Sequence, residues 1–148
     1  MNKSRNFIFL GVGILITLLF IILSEKIFEG VYYQGSFSDA MHNNSVYTKI
    51  TFIVVAMTWG GAALYYYVIN SVRFDRWFHW LASGAVVSLL TAIVCYFVTG
   101  GSLPEFEDHG ETIGFTGYVL LFAAVLFIVA SFSIRWWSSN CRHTPIPQ

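Results

Sequence analysis

The sequence predicts an all-α membrane protein: four transmembrane helices in an antiparallel bundle, with both termini in the cytoplasm. Three observations predict it. The 148 residues are 56% hydrophobic, 18% aromatic and only 11% charged, against about 25% charged in ordinary soluble domains. A soluble core of this size does not hide so much apolar side chain from water. Four apolar stretches then reach the length that a bilayer core of about 30 Å demands. Finally, the basic residues of the connecting segments collect on one side of those stretches, as they do on the cytoplasmic side of a membrane.

The first span opens on FIFLGVGILITLLFIIL, Phe7–Leu23, which rises about 26 Å at ~1.5 Å per residue. Continuation to about residue 28 completes the crossing, and Gly30 is placed to stop it. The lead-in MNKSR is positive, as in a secretory signal. No small-x-small cleavage site precedes Ser24-Glu25-Lys26, so the segment reads as an uncleaved signal-anchor helix. The other spans run from about 50 to 70, 77 to 98 and 113 to 134, and no Asp, Glu, Lys or Arg interrupts them. Together they make one four-span domain over residues 1–148. Its outer loops are expected at about 29–49 and 99–112, and a flexible tail at about 138–148.

Charge sets the orientation. With both termini inside, Lys3, Arg5, Arg73, Arg76, Arg135 and Arg142 are cytoplasmic, against Lys26 and Lys49 outside. Seven of the eight acids fall outside, leaving Asp75 within. Trp77, Trp80, Trp136 and Trp137, with Tyr65–Tyr67, are expected as a belt at the cytoplasmic headgroups, apolar body inward and polar tip toward water. Trp59 lies near mid-membrane and is expected to fill a gap between helices. Ala56 with Gly60, Gly84 with Ser88, and Gly110 with Gly114 put small residues one turn apart, so Gly60 and Gly84 are expected at close helix contacts.

Several function classes are disfavoured. Pumps, ion-coupled transporters and voltage sensors use ionisable groups at membrane depth, and the spans hold none. Haem held between helices needs histidines within the spans, whereas His42, His79, His109 and His143 lie at interfaces or in loops. Cys95 and Cys141 sit in different settings, which supports neither a disulfide framework nor a thiolate zinc site. No Ser/His/Asp spacing, Gly-rich phosphate loop or H-E-x-x-H occurs. The expectation is a non-enzymatic protein without a cofactor. A net charge of zero speaks against nucleic acid.

The two outer segments carry what chemistry there is. In the first, Ser38 is placed to cap a short turn through Asp39–Asn43. Tyr32, Tyr33 and Phe37 either hold this segment over the bundle or, with Phe106 of the second segment, meet a partner. The second segment contains PEFEDHGE, Pro104–Glu111, with four carboxylates and a histidine. Gly100-Gly101 and Pro104 are expected to break the preceding helix, leaving a hydrated hairpin turn. Its spacing does not match regular calcium loops. A zinc site through His109, His42 and Glu107 or Asp108 is chemically possible and needs the two segments to meet.

The leading functional expectation is an integral membrane subunit that anchors or assembles a larger envelope or secretion-type complex. Its partners would be the lipid bilayer and other membrane or periplasmic subunits, or further copies of itself. Short loops and a basic inner face fit a bacterial inner membrane. The alternatives are an immunity protein that blocks a pore-forming toxin within the membrane, and a small channel or transporter subunit.

Overall fold

The computed structural model describes residues 3–69, 74–106 and 110–138. Among them no strand occurs. The elements are α1 (Lys3–Val31), α2 (Gly35–Asn43), α3 (Val46–Ala63), α4 (Trp77–Ser102) and α5 (Gly110–Ile134). Leu64–Ile69 prolongs α3 as a π-helix, and short 3-10 turns occupy Pro104–Phe106 and Arg135–Trp137. Among the described residues, four helices are long and apolar enough to cross a membrane: Arg5–Val31, Val46–Ile69, Trp77–Ser102 and Gly110–Trp137. In their most apolar windows only 22–33% of residues are buried. Most of the apolar surface therefore points away from the bundle, which is what lipid as solvent requires.

Three expected boundaries move. Gly30 does not stop the first helix: α1 runs through it to Val31. A mid-helix glycine costs about 1 kcal/mol, and the last turn is held by Phe28, which is 1% exposed, and by Tyr32 N–H donating to Phe28 O at 2.8 Å. The sharp turn comes later, at Gly35, whose φ of +35° lies in the left-handed region that favours glycine. Gly100 and Gly101 likewise stay within α4, which ends at Ser102 just before Pro104. Ser38 is not a cap. It lies inside α2, where its hydroxyl accepts from Gln34 N–H at 2.9 Å and closes the turn between α1 and α2.

Buried side chains form two clusters among the described residues. One centres on Phe28, whose ring lies 5.3 Å from both Phe115 and Phe122 and 6.0 Å from Tyr47. Phe37 and Met41 of α2 join this cluster and seat the short helix across one end of the bundle. The other cluster gathers Tyr65, Tyr66, Trp80 and Phe127 toward the opposite end. The expected aromatic belt is thus divided. Trp77, Trp137 and Tyr67 are exposed, whereas Tyr65, Tyr66 and Trp80 pack inside. The Tyr65 hydroxyl donates to Phe74 O at 2.9 Å, and the Tyr66 backbone carbonyl accepts from Ser138 Oγ at 2.7 Å. Arg135, 2% exposed, lies 4.2 Å from the Phe132 ring centroid and 4.1 Å from that of Trp136, where both rings stabilise its cation.

Close approach between helices involves Gly84, as expected, but not Gly60. Gly60 faces open space, as does Gly110, and Ala56 is exposed. The contact falls one residue on, at Gly61, where an added Cβ would lie 2.5 Å from Val87 Cγ2. Gly84 does pack closely, against the Phe127 ring, and Gly13 meets Ser133. Polar residues at this depth are mostly satisfied within their own helices. Thr17, Thr51, Thr58, Ser88, Thr91, Thr116 and Ser133 each donate to the carbonyl four residues back, which removes a donor that lipid cannot serve. Thr17 Oγ1 also accepts from Trp59 Nε1 at 3.1 Å. Trp59 thus fills and pins the space between α1 and α3.

Candidate functional site

The densest grouping of polar chemistry among the described residues lies where α2 crosses α1. Glu25 and Glu29 are one turn apart near the end of α1, a spacing that puts both carboxylates on one face. Phe37 and Met41 hold α2 with its apolar side down, so His42 comes off the neighbouring side toward α1. His42 Nδ1 pairs directly with Glu25 Oε1. Ligand atoms of Glu25, Glu29 and His42 all lie within 4.8 Å of one another. The group is open to solvent on one side, with the His42 side chain 61% exposed and that of Glu25 43%.

Tyr47 at the start of α3 lies beneath. It is 2% exposed, and its hydroxyl interacts electrostatically with Glu29, Glu25 and Asp39. Ser38 is its near neighbour, yet no side chain meets the Tyr47 hydroxyl with hydrogen-bond distance and angle together. Buried phenols usually find such a partner.

The sequence candidates sort unevenly. His42 is in the cluster, but Glu107, Asp108 and His109 lie outside the described residues. The side chains that the described residues place beside His42 are Glu25 and Glu29. Their signal in the sequence is the E-x-x-x-E spacing just past the uncharged run of α1, with His42 coming 17 residues after Glu25. Of the four aromatic contact candidates, Phe37 is 1% exposed and belongs to the protein's own core, 5.5 Å from Phe106 and 6.1 Å from Phe115 between ring centroids. Phe106 is half-buried against it. Tyr32 is half-buried too, 5.5 Å from the Tyr118 ring, with its hydroxyl against Gly114. Burial first, then the Glu111 carboxylate and Tyr118, push the Tyr32 phenol above its ordinary pKa, so it remains a protonated donor. Tyr33, 63% exposed, is the one of the four that projects outward.

A second feature is a groove of about 450 Å³ between α4 and α5, lined by Trp80, Gly84, Ser88, Leu120, Ala124 and Phe127. Gly84, Ala85, Ser88 and Ala124 leave space there between larger apolar side chains. No family model matches the sequence, and neither a curated protein nor a solved structure matches the chain.

Proposed function

We propose that this chain is a non-enzymatic integral membrane subunit that anchors or assembles a larger envelope or secretion-type complex. In this reading it is an antiparallel four-helix bundle in a bacterial inner membrane, with both termini in the cytoplasm and α2 in the periplasm. The antiparallel order is supported by pairs such as Gly13 with Ser133 and Tyr32 with Gly114, whose numbers run in opposite directions along α1 and α5. The orientation is supported by the basic bias of the connecting segments.

The observation that carries the assembly role is the seating of α2. Phe37 and Met41, 1% and 0% exposed, hold it on the bundle, so Tyr33, Gln34 and Ser36 form an ordered exposed surface. A surface ordered before contact loses less conformational entropy on binding, and an exposed tyrosine is a common anchor of interface energy. Purification at native expression in mild detergent should recover another membrane or periplasmic protein in fixed stoichiometry. Tyr33→Ala should weaken that association by about tenfold or more, with thermal stability retained. Recovery of the chain alone across several mild detergents would remove the main support for this role.

The orientation has its own check. In a cysteine-free background, a membrane-impermeant thiol reagent should label Ser36→Cys in cells with a permeabilised outer membrane but not Asp75→Cys. The reverse pattern inverts the topology. The α4–α5 groove favours a second reading, an immunity protein that engages a toxin helix within the bilayer. Protection of cells from a pore-forming toxin, lost when Ala124→Leu fills the groove with thermal stability retained, would favour it over an assembly role.

A further inference from the structure

We propose that Glu25, Glu29 and His42 form a mononuclear site for a divalent zinc-class metal ion where α2 crosses α1. An ion pair alone accounts for His42 with Glu25, but it leaves Glu29 as a second carboxylate in the same space. His42 pairs with Glu25. Two carboxylates this close repel when both are ionised. A divalent cation neutralises both at once.

The placement of the donors suits such an ion. The carboxylates come from successive turns of one long helix, and the imidazole comes from a second helix whose position Phe37 and Met41 fix. Zinc is held by His nitrogen at about 2.0–2.1 Å and by carboxylate oxygen at about 2.0–2.2 Å. Ligand atoms within 4.8 Å of one another need only side-chain rotation to meet that requirement. One imidazole with two carboxylates suits zinc and its first-row neighbours, whereas calcium and magnesium prefer all-oxygen sites. The three protein donors leave a further position for water.

Tyr47 is an independent pointer to the same place. Its hydroxyl is buried and lies close to Ser38 as well as to Glu29 and Glu25. A phenol beside ligating carboxylates is the kind of outer-shell donor that orients them. The metal would also clamp α2 to α1 from the solvent side, opposite the Phe37 anchor. The site stands apart from the assembly role, so partner recovery is read separately.

Full-length protein in detergent, stripped with a chelator, should take up one zinc ion per chain in a calorimetric titration, with micromolar or tighter affinity. Calcium at the same concentration should neither bind there nor compete. Losing an outer-shell partner costs a metal site roughly 10- to 100-fold in affinity, so His42→Gln and Glu29→Gln should each cost at least that much. All three ligands have some solvent access, so the variants should keep the metal-free thermal midpoint and helical content. Tyr47→Phe should weaken binding by a smaller factor, and Glu105→Gln with Glu111→Gln should leave it unchanged. X-ray absorption of the zinc-loaded protein should show a nitrogen/oxygen shell containing one imidazole. Wild-type affinity in His42→Gln, an equal loss in Glu105→Gln/Glu111→Gln, or uptake that never saturates would each overturn the proposal.

Discussion

Phe37→Ala should destabilise the protein by about 3–5 kcal/mol, the range for truncating a well-packed phenylalanine. The effect should concentrate on α2. Phe37 is 1% exposed and packs against Tyr32, Phe106 and Phe115 at ring distances of 6.4, 5.5 and 6.1 Å. It lies outside the four apolar spans, so its burial is from water and carries the full hydrophobic driving force. Met41 alone, one turn on, would then hold the short helix. Hydrogen exchange across Gly35–Asn43 should accelerate, while protection in the middle of α3 and α5 is retained. Because His42 rides on α2, zinc affinity should fall in the same variant, although residue 37 touches no metal ligand. Tyr33→Ala is the matching control and should stay within about 0.5 kcal/mol of wild type, as surface changes usually do. Unchanged exchange at α2 in Phe37→Ala would mean that something other than this ring seats the helix.

Gly61→Leu and Gly60→Leu should differ sharply although the positions are adjacent. At Gly61 a Cβ would approach Val87 Cγ2 to 2.5 Å and Cγ1 to 2.9 Å. Valine is stiff about χ1, so the helices have to separate. Overpacking of this kind costs about 1–3 kcal/mol, occasionally more. In lipid the loss is not softened by any hydrophobic pull between helices, because association there depends on close packing and hydrogen bonds. At Gly60 a Cβ meets nothing within 4 Å, and a leucine there should simply face the lipid or detergent. Gly84→Leu should resemble Gly61→Leu, since its Cβ would lie 2.9 Å from the Phe127 ring. Thermal unfolding in detergent reads all three. Equal damage from Gly60→Leu and Gly61→Leu would refute the packing of α3 on α4.

The sequence by itself determined the all-helical architecture and the number of spans. Lipid offers the backbone no hydrogen-bond partner, so a crossing segment has to be a long apolar helix or a closed barrel strand, and long uncharged runs are legible in composition alone. The span expected at about 50–70 appears as Val46–Ile69, and that at 113–134 as Gly110–Trp137. Trp59 was legible as a gap-filler for a related reason: a mid-membrane indole needs both room and an acceptor.

What only the tertiary structure decided is which side of each helix faces in. In a soluble helix, polar residues mark the outer face. Here both faces are apolar, so nothing in the pattern separates Gly60 from Gly61, or the exposed Tyr67 from the buried Tyr65 and Tyr66. Shape complementarity makes that choice, and it exists only once the helices are side by side. The Glu25–Glu29–His42 cluster has the same origin. The i, i+4 carboxylates are visible in the sequence, but their imidazole is supplied by the fold of α2 back onto α1. That fold depends on the turn at Gly35 and on the burial of Phe37, neither of which says in advance where His42 will land.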